Sequence, residues 1–564
     1  MQMTGAEIII KVLQSHGITK IAGIPGGAAL PIYDALSRQK SIQHILARHE
    51  QGAGFIAQGM ARATGKPAVC LSSSGPGATN LVTAIADAKM DSIPIVCITA
   101  QVPNNMIGTD AFQEIDTYGI SIPITKYNYL VRDVKDLTQI LLDAFTLAQS
   151  GRPGPVWVDI PKDVLMANVE ESTVLETIKN YSIDSNLFVS SLSSDELDKK
   201  ITEAASWIKA AKKPVLYLGG GIVHANASID ALQLAEKAQL PTTMTLMGLG
   251  SIPTTHPLAI GMLGMHGARY TNLILHESDL LVVVGARFDD RAVGKVAEFC
   301  PNAKIIHIDI DAAEIDKIKT AHLAIELDAQ EALQRLVQKV EVMERKEWLN
   351  EVDILRNNYP LVTDSLDSPL SHYGLINHCA QYADNEAFIT TDVGQHQMWV
   401  AQSYPFRIPR QWLTSGGLGT MGFGVPAAIG AALAYPDKQV ICFTGDGSIM
   451  MNIQELATLA EHQLNVKIVL LNNRALGMVH QQQTLFYEEE IYASTYHDRT
   501  NFIKIAEGFG IDTCDLNSEG NPAEALRIKL STRGPCLIHA MIDLNEKVYP
   551  VVVPGSANIH MINA

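Results

Sequence analysis

The sequence predicts an α/β chain built from three doubly wound parallel sheets, and three observations carry that expectation. With 564 residues the chain is too long for a single core and suggests roughly three domains of ordinary size. Short apolar runs of strand length alternate with segments of helical spacing along nearly the whole chain, the pattern of repeated βαβ units. Several of those runs end in glycine-rich turns, as at Gly75-Pro76-Gly77, Gly219-Gly220-Gly221 and Gly445-Asp446-Gly447, where a strand would hand over to a helix.

The elements follow in order. In a first unit, placed at residues 1–170, Ala68 to Leu71, Ile95 to Thr99 and Val156 to Ile160 read as strands, and Ala53 to Ala63 and Thr79 to Lys89 as helices. Between about Val169 and Ser194 glutamate, serine, asparagine and aspartate accumulate, and the spacing predicts a linker that ends in a capping box made by Ser193 and Glu196. A second unit, residues 190–345, contains strand-like Val215 to Leu218, Leu280 to Val284 and Ile305 to Asp309. A third, residues 365–564, contains Phe388 to Thr391, Val440 to Thr444, Val466 to Leu471 and Leu537 to Ile542. The first and third units share a rhythm of glycine-rich loop, apolar helix and strand, which hints at a duplication.

Composition narrows the function classes. A net charge of −17, a pI near 5.4 and no run of lysine or arginine disfavour nucleic acid and anionic membrane as partners. The seven cysteines, Cys70, Cys97, Cys300, Cys379, Cys442, Cys514 and Cys536, form no CxxC pair and sit mostly in apolar strand-like contexts, as buried thiols of a reducing compartment do. The first residues carry no signal- or transit-peptide pattern, so a bacterial cytoplasm is the expected location. Gly416 to Tyr435 is uncharged over about the length of a bilayer span. Its glycines and Pro426 instead predict a loop running into a buried helix.

The chemistry starts at Gly445-Asp446-Gly447 and at Asn472-Asn473, which close two successive strands. Right-handed crossover puts both strand ends on one edge of a parallel sheet, so Asp446 and Asn473 leave side by side. One carboxylate, one amide oxygen and a nearby backbone carbonyl suit Mg²⁺, which completes its octahedron with phosphate and water oxygens. Gly445 and Gly447 allow a phosphate close to the backbone, and Ser448 is read as opening the helix that faces it. A lone GDG is usually a plain strand exit; the paired asparagines reverse that in favour of the metal-diphosphate reading.

This pattern resembles the signature of thiamine diphosphate (ThDP) enzymes, and the resemblance extends along the chain. Arg48-His49-Glu50-Gln51-Gly52-Ala53, Ser74-Gly75-Pro76-Gly77-Ala78-Thr79-Asn80, Gly108 to Glu114, Gly151 to Val156, Gly394 to Trp399 and Gly419 to Gly424 are similar, in order, to the acetohydroxyacid synthase (acetolactate synthase) large-subunit family in its bacterial form. The resemblance implies a pyrimidine-binding first domain, a central FAD domain and a diphosphate-binding third domain. It assigns Glu50 to the cofactor's aminopyrimidine, where a carboxyl group shares a proton with a ring nitrogen. Taken alone, a glutamate such as Glu50 is more often a solvated charge favoured at a helix start, and its place in the matching block decides for the cofactor. Met421 matches the residue that fills the bend of the cofactor, a task for an unbranched, polarizable side chain. Val393, Gly394, Gln395, His396 and Gly419 match further ThDP contacts, and the metal set becomes Asp446, Asn473 and the carbonyl of Ala475. The family draws its glutamate and its diphosphate site from different subunits, which implies a homodimer or homotetramer.

Decarboxylation of pyruvate must be followed by capture of a second oxo acid, so the site has to exclude water and orient an acceptor. Gly27, Phe112, Gln113 and Lys162 match the family's pocket and channel residues. Each also has a plain reading: a turn for Gly27, core for Phe112, surface for the other two. Flavin-contacting positions of the family are matched by Arg152, Gly219, Gly220, Gly221, Thr245, Leu246, Leu263, Gly264, Met265, His266, Gly285, Ala286, Arg287, Asp289, Arg291, Asp309, Ile310, Asp328 and Ala329. The flavin of this family is structural. One departure stands out: Gln481-Gln482-Gln483 replaces the family's QWQ, whose tryptophan narrows the acceptor pocket in favour of 2-oxobutanoate. Gln482 therefore implies weak acceptor preference.

The reaction implied joins two pyruvates into 2-acetolactate, or pyruvate and 2-oxobutanoate into 2-aceto-2-hydroxybutanoate, at the entry to branched-chain amino acid biosynthesis. A small regulatory subunit is the implied partner. A flavin-linked pyruvate oxidase and a non-catalytic nucleotide-binding protein are the alternatives, the second disfavoured by intact Glu50, Asp446 and Asn473.

Overall fold

The computed structural model describes residues 1–182, 193–363, 365–497 and 499–563. Three six-stranded sheets, parallel throughout, organise it. The first is built from Lys20–Gly23, Gln43–Leu46, Ala68–Ser72, Ile95–Gln101, Tyr127–Leu130 and Val156–Pro161. Counted along the chain, these strands lie in the order 2-1-3-4-6-5. The third sheet, from Phe388–Thr391, Trp412–Leu413, Val440–Gly445, Val466–Asn472, Asp512–Asp515 and Cys536–Met541, repeats that order. A shared, non-trivial strand order supports the duplication suggested by sequence rhythm.

The middle sheet differs. Pro214–Leu218, Thr242–Met244, Ala259–Met262, Leu280–Val284, Lys304–Asp309 and Leu323–Glu326 lie in the order 3-2-1-4-5-6, that of the dinucleotide-binding fold. Strands buried on both faces need apolar side chains at every position, and Leu280–Val284 (LLVVV) and Val440–Gly445 (VICFTG) are buried throughout.

In doubly wound sheets ligands collect where the strand order reverses, outside the carboxyl ends. In the third sheet that point lies between Phe388–Thr391 and Val440–Gly445, so the following residues, Asp392 to Gln395 and Asp446 to Ser448, face one crevice. In the middle sheet it lies between Pro214–Leu218 and Leu280–Val284, which deliver Gly219 to Gly221 and Gly285 to Arg287. In the first it lies between Lys20–Gly23 and Ala68–Ser72, which deliver Ile24 to Gly27 and Ser73 to Gly77.

The first and third units are joined by two helices, Glu50–Thr64 and Gly424–Ala434, which pack through small residues. A Cβ on Gly59 would lie 2.1 Å from the carbonyl oxygen of Ala427, and one on Gly430 2.1 Å from that of Ile56. The uncharged stretch from Gly416 thus resolves into a loop and an 11-residue buried helix. Among the described residues no helix is long and apolar enough to cross a membrane.

The stretch expected to be a linker contains regular elements. Asn168–Glu170 pairs antiparallel with Gln2–Thr4, and Glu171–Asn180 is a helix. Residues 183–192 of that stretch lie outside the described residues. The capping box at its end is present, with Ser193 and Glu196 bonded reciprocally. The seven cysteines are all buried and free.

Candidate active site

A cavity of about 1110 Å³ runs from the crevice of the middle sheet to that of the third. It exceeds the usual volume for one drug-sized ligand, about 300 to 1000 Å³, and its two ends are chemically different.

At the third-sheet end, Gly445 pairs with Leu471 in the register of adjacent strands, which sets Asp446 and Asn473 side by side. Burial pushes the Asp446 carboxyl up to about 6, although the backbone N–H groups of Asp446, Gly447, Asn473 and Ala475 all favour its ionised form. A desolvated carboxylate of this kind is stabilised by a cation. The Asn473 amide is fixed: its Nδ2 donates to Gln395 Oε1 at 3.0 Å, while its Oδ1 accepts from Ala475 N–H at 3.2 Å. Gln395 is anchored in turn, its Nε2 donating to Gln481 Oε1 at 3.0 Å and to the carbonyl of Glu546 at 2.9 Å. Gly477 is needed beside this pair, because a Cβ there would lie 2.1 Å from Gln395 Oε1. Among the described residues no three His, Cys, Asp or Glu side chains converge. The donors here are one carboxylate, one amide and a carbonyl, a hard-oxygen set that leaves positions for phosphate and water and so fits Mg²⁺.

The short helix Asp446–Ile449 begins at Asp446, two residues before the expected Ser448. Ser448 Oγ instead donates to the carbonyl of Val393 at 2.8 Å, tying the two strand exits together. His396 is buried, and its Nε2 has no hydrogen-bond partner within the protein. Burial holds its imidazole neutral by pushing the pKa down to about 3. The Nδ1 edge of the ring lies against the Gly445 turn, 3.1 Å from the position a Cβ would occupy there, and the unpartnered Nε2 is a buried polar atom left for a ligand to satisfy. Met421 reaches this turn from above: its Cε lies 3.6 Å from the position a Cβ would occupy on Gly447.

At the middle-sheet end, glycines let two backbones touch. A Cβ on Gly219 would lie 2.0 Å from Gly285 O, and one on Gly221 2.6 Å from Gly285 Cα. Asp309 closes the strand beside Leu280–Val284 as a buried carboxyl, pushed up to about 6 by desolvation, at the carboxyl edge of the sheet where doubly wound folds bind ligands. His266 Nδ1 is buried without a partner, and burial lowers that imidazole to about 4. Glycine cradle, acidic strand end and orphaned imidazole together fit a dinucleotide such as FAD. Of the positions expected to contact flavin, all but Gly264 line this cavity. Gly264 is held away from it by the Asn272 side chain, which bonds both its N–H and its carbonyl at 3.0 and 2.9 Å. Arg152 lines the cavity but also pairs with Asp311 at 3.0 Å and Glu314 at 2.6 Å, joining the first and middle units.

Glu50, Gly27, Phe112, Gln113 and Lys162 do not line this cavity. Glu50 is the first residue of its helix, capped by His49, and its Oε2 accepts from Asn80 Nδ2 at 2.9 Å. Both earlier readings of Glu50, helix-start charge and oriented acid, are therefore compatible with its position. Phe112 is 88% exposed and so is not core, and Gln113 follows with a φ of 60°. Gln482 lies exposed on the helix Gly477–Phe486 and does line the cavity.

Two supporting residues were not singled out by the sequence. Asn80 was legible only as part of a motif, and Glu455 not at all. Buried Glu455 accepts from the backbone N–H groups of Arg48 at 2.9 Å and His49 at 3.1 Å, so the third unit orients the turn that carries Glu50.

Strand order, the Asp446–Asn473 pair and the phosphate-sized cradle define a thiamine pyrophosphate enzyme. Family models bear this out for each unit: the N-terminal TPP binding domain matches residues 3–120, the central domain 201–336 and the C-terminal TPP binding domain 392–540. The chain is 61% identical to the acetolactate synthase isozyme 1 large subunit of Escherichia coli K12, over 100% of this chain and 98% of that one. It is 43% identical to the isozyme 2 large subunit of the same organism (99% of both chains) and 44% identical to the large subunit of Lactococcus lactis (99% and 96%). The chain belongs to the acetolactate synthase large-subunit family.

Proposed function

We propose that the chain is the catalytic subunit of an acetolactate synthase, which decarboxylates pyruvate and joins the remaining two-carbon unit to a second pyruvate or to 2-oxobutanoate. The observation that carries this reading is the Asp446–Asn473 pair at the switch point of a sheet whose chain matches acetolactate synthases over its full length. Thiamine diphosphate, when bound, supplies a thiazolium carbon that adds to the oxo acid and accepts the electrons released with CO₂. Asp446, Asn473 and the carbonyl of Ala475 hold Mg²⁺, and His396 and the Gly445–Ser448 turn hold the diphosphate. Met421, which stands over the Gly447 turn, would pack against the bound cofactor. Glu50 holds a proton at the aminopyrimidine ring, with Asn80 fixing the carboxyl's direction. FAD occupies the middle-sheet end as a structural group.

Glu50, Phe112, Gln113, Gly27 and Lys162 act on the cavity of a second copy, in a homodimer or homotetramer. The exposure of Phe112, Met450, Met451 and Tyr492 supports such an interface. A small regulatory subunit completes the assembly, and the enzyme works in the cytoplasm. Labelled pyruvate supplied with ThDP, Mg²⁺ and FAD will give acetolactate and CO₂, and omission of ThDP will abolish both. Acetate as the main product, with bleaching of the flavin during turnover, would instead identify an oxidase.

A further inference from the structure

The segment Ser415–Met421 is a wall shared by both ends of the cavity. Gly416 packs on Met247 of the middle unit, where a Cβ would lie 2.3 Å from the Met247 sulfur, while Met421 stands over the Gly447 turn. The segment has no helix or strand of its own, so other groups must fix its shape. Those groups belong to the first unit. Asp91 accepts from the backbone N–H of Gly416 at 3.0 Å and of Gly417 at 2.7 Å, one to each carboxylate oxygen. Asp87 Oδ2 accepts from Thr420 Oγ1 at 2.8 Å and from Ser415 Oγ. Within the segment, Thr420 N–H donates to Ser415 Oγ at 2.8 Å.

Both carboxylates are shut off from solvent and share one cation. Arg62 Nη2 lies 2.8 Å from Asp91 and 3.3 Å from Asp87, and the guanidinium sits 4.9 Å from the centre of the Phe423 ring, just past the segment. Burying three charged side chains costs more than an apolar filling of the same volume would. What this arrangement provides is direction: four separate groups of an irregular segment are held at once from a rigid helix, Pro76–Met90, and the residue that follows it.

We propose that Asp87 and Asp91 are positioning residues that hold Ser415–Met421 in the shape both cofactors require, so that occupancy at the flavin end and affinity for thiamine diphosphate are coupled through this segment. The proposal rests on the functional reading above. Coupling of this kind is reciprocal, and loss of one buried hydrogen bond corresponds to roughly a ten-fold change in affinity.

The test uses the full chain stripped of cofactors, with Thr420→Val, Thr420→Ser and Asp91→Asn. Thiamine diphosphate with Mg²⁺ is titrated by quenching of protein fluorescence with and without FAD, and FAD release is followed by its own fluorescence. Thr420→Val will weaken both cofactors, thiamine diphosphate by roughly ten-fold, with unchanged far-ultraviolet circular dichroism, and Thr420→Ser will restore both. Asp91→Asn will give the larger loss; if it does not fold, the threonine pair decides. Unchanged constants for both cofactors in folded Thr420→Val would overturn the clamp alone. A wild-type chain that binds no thiamine diphosphate would overturn the functional reading and the clamp with it.

Discussion

In the proposed reaction, chemistry turns on Glu50 and selectivity on Gln482. Glu50 is oriented by a single side-chain bond from Asn80 and, through the backbone of Arg48 and His49, by Glu455. Replacing it by glutamine keeps the shape and the bond from Asn80 but removes the exchangeable proton. Glu50→Gln will lower kcat by about 10² to 10⁴, the usual contribution of a positioned acid or base, while thiamine diphosphate still binds. Steady-state turnover and cofactor titration check this, and unchanged turnover would show that the carboxyl takes no part. Gln482 presents an exposed amide to the cavity. Gln482→Trp will add apolar contact for the extra methylene of 2-oxobutanoate, a preference of about 1 to 3 kcal/mol, read from product ratios when both acceptors compete. Asp446 and Asn473 were legible in the sequence because each follows directly on an apolar strand. Asn80 and Glu455 were not, since Asn80 meets its partner 30 residues away in the chain and Glu455 some 407 away, and no local pattern encodes either meeting.

At the scale of elements, legibility followed burial. Leu280–Val284 and Phe388–Thr391 have the bounds expected from their apolar runs because every residue of each strand is buried. The helix Glu171–Asn180 escaped notice because Val174 is the only residue it buries, so its sequence reads as a polar linker. The first and third units meet most extensively through the contact of Glu50–Thr64 with Gly424–Ala434, which fixes the helix bearing Glu50 against the third unit of its own chain. Its tightness depends on glycine. Gly430→Ala puts a methyl group 2.1 Å from the Ile56 carbonyl oxygen, so the helices must separate. Overpacking of this sort costs about 1 to 3 kcal/mol. Chemical denaturation of the variant will show that loss, whereas an unchanged midpoint would mean the helices can slide apart freely.

Across the whole molecule, buried titratable groups pull stability in opposite directions. Desolvation pushes the carboxyls of Asp87, Asp159 and Asp309 up to about 6, and pushes the imidazoles of His44, His224 and His372 down to about 4. A carboxyl with a raised folded pKa gives stability that is fully present below its unfolded value near 3.8 and is lost as pH rises through about 6. A lowered imidazole does the reverse: its contribution is present above the unfolded value near 6.5 and is lost as pH falls through about 4. Between about pH 4 and pH 6 the two sets offset one another, and a flat stability profile follows. Removing one member exposes its share. Asp159 is a clean choice, because it lies away from the cavity and its partners, Thr99 Oγ1 at 2.6 Å and Gln101 Nε2 at 3.1 Å, are neutral. Asp159→Asn carries a constant cost for the altered hydrogen bonds. It also removes a term that weakens the wild type by up to about 3 kcal/mol as pH rises through that window. The variant's stability relative to wild type will therefore improve from pH 4.5 to pH 7, as measured by urea denaturation at both values. A difference that stays constant would show that Asp159 titrates alike in the folded and unfolded chains, and one that runs the other way would show that folding lowers its pKa.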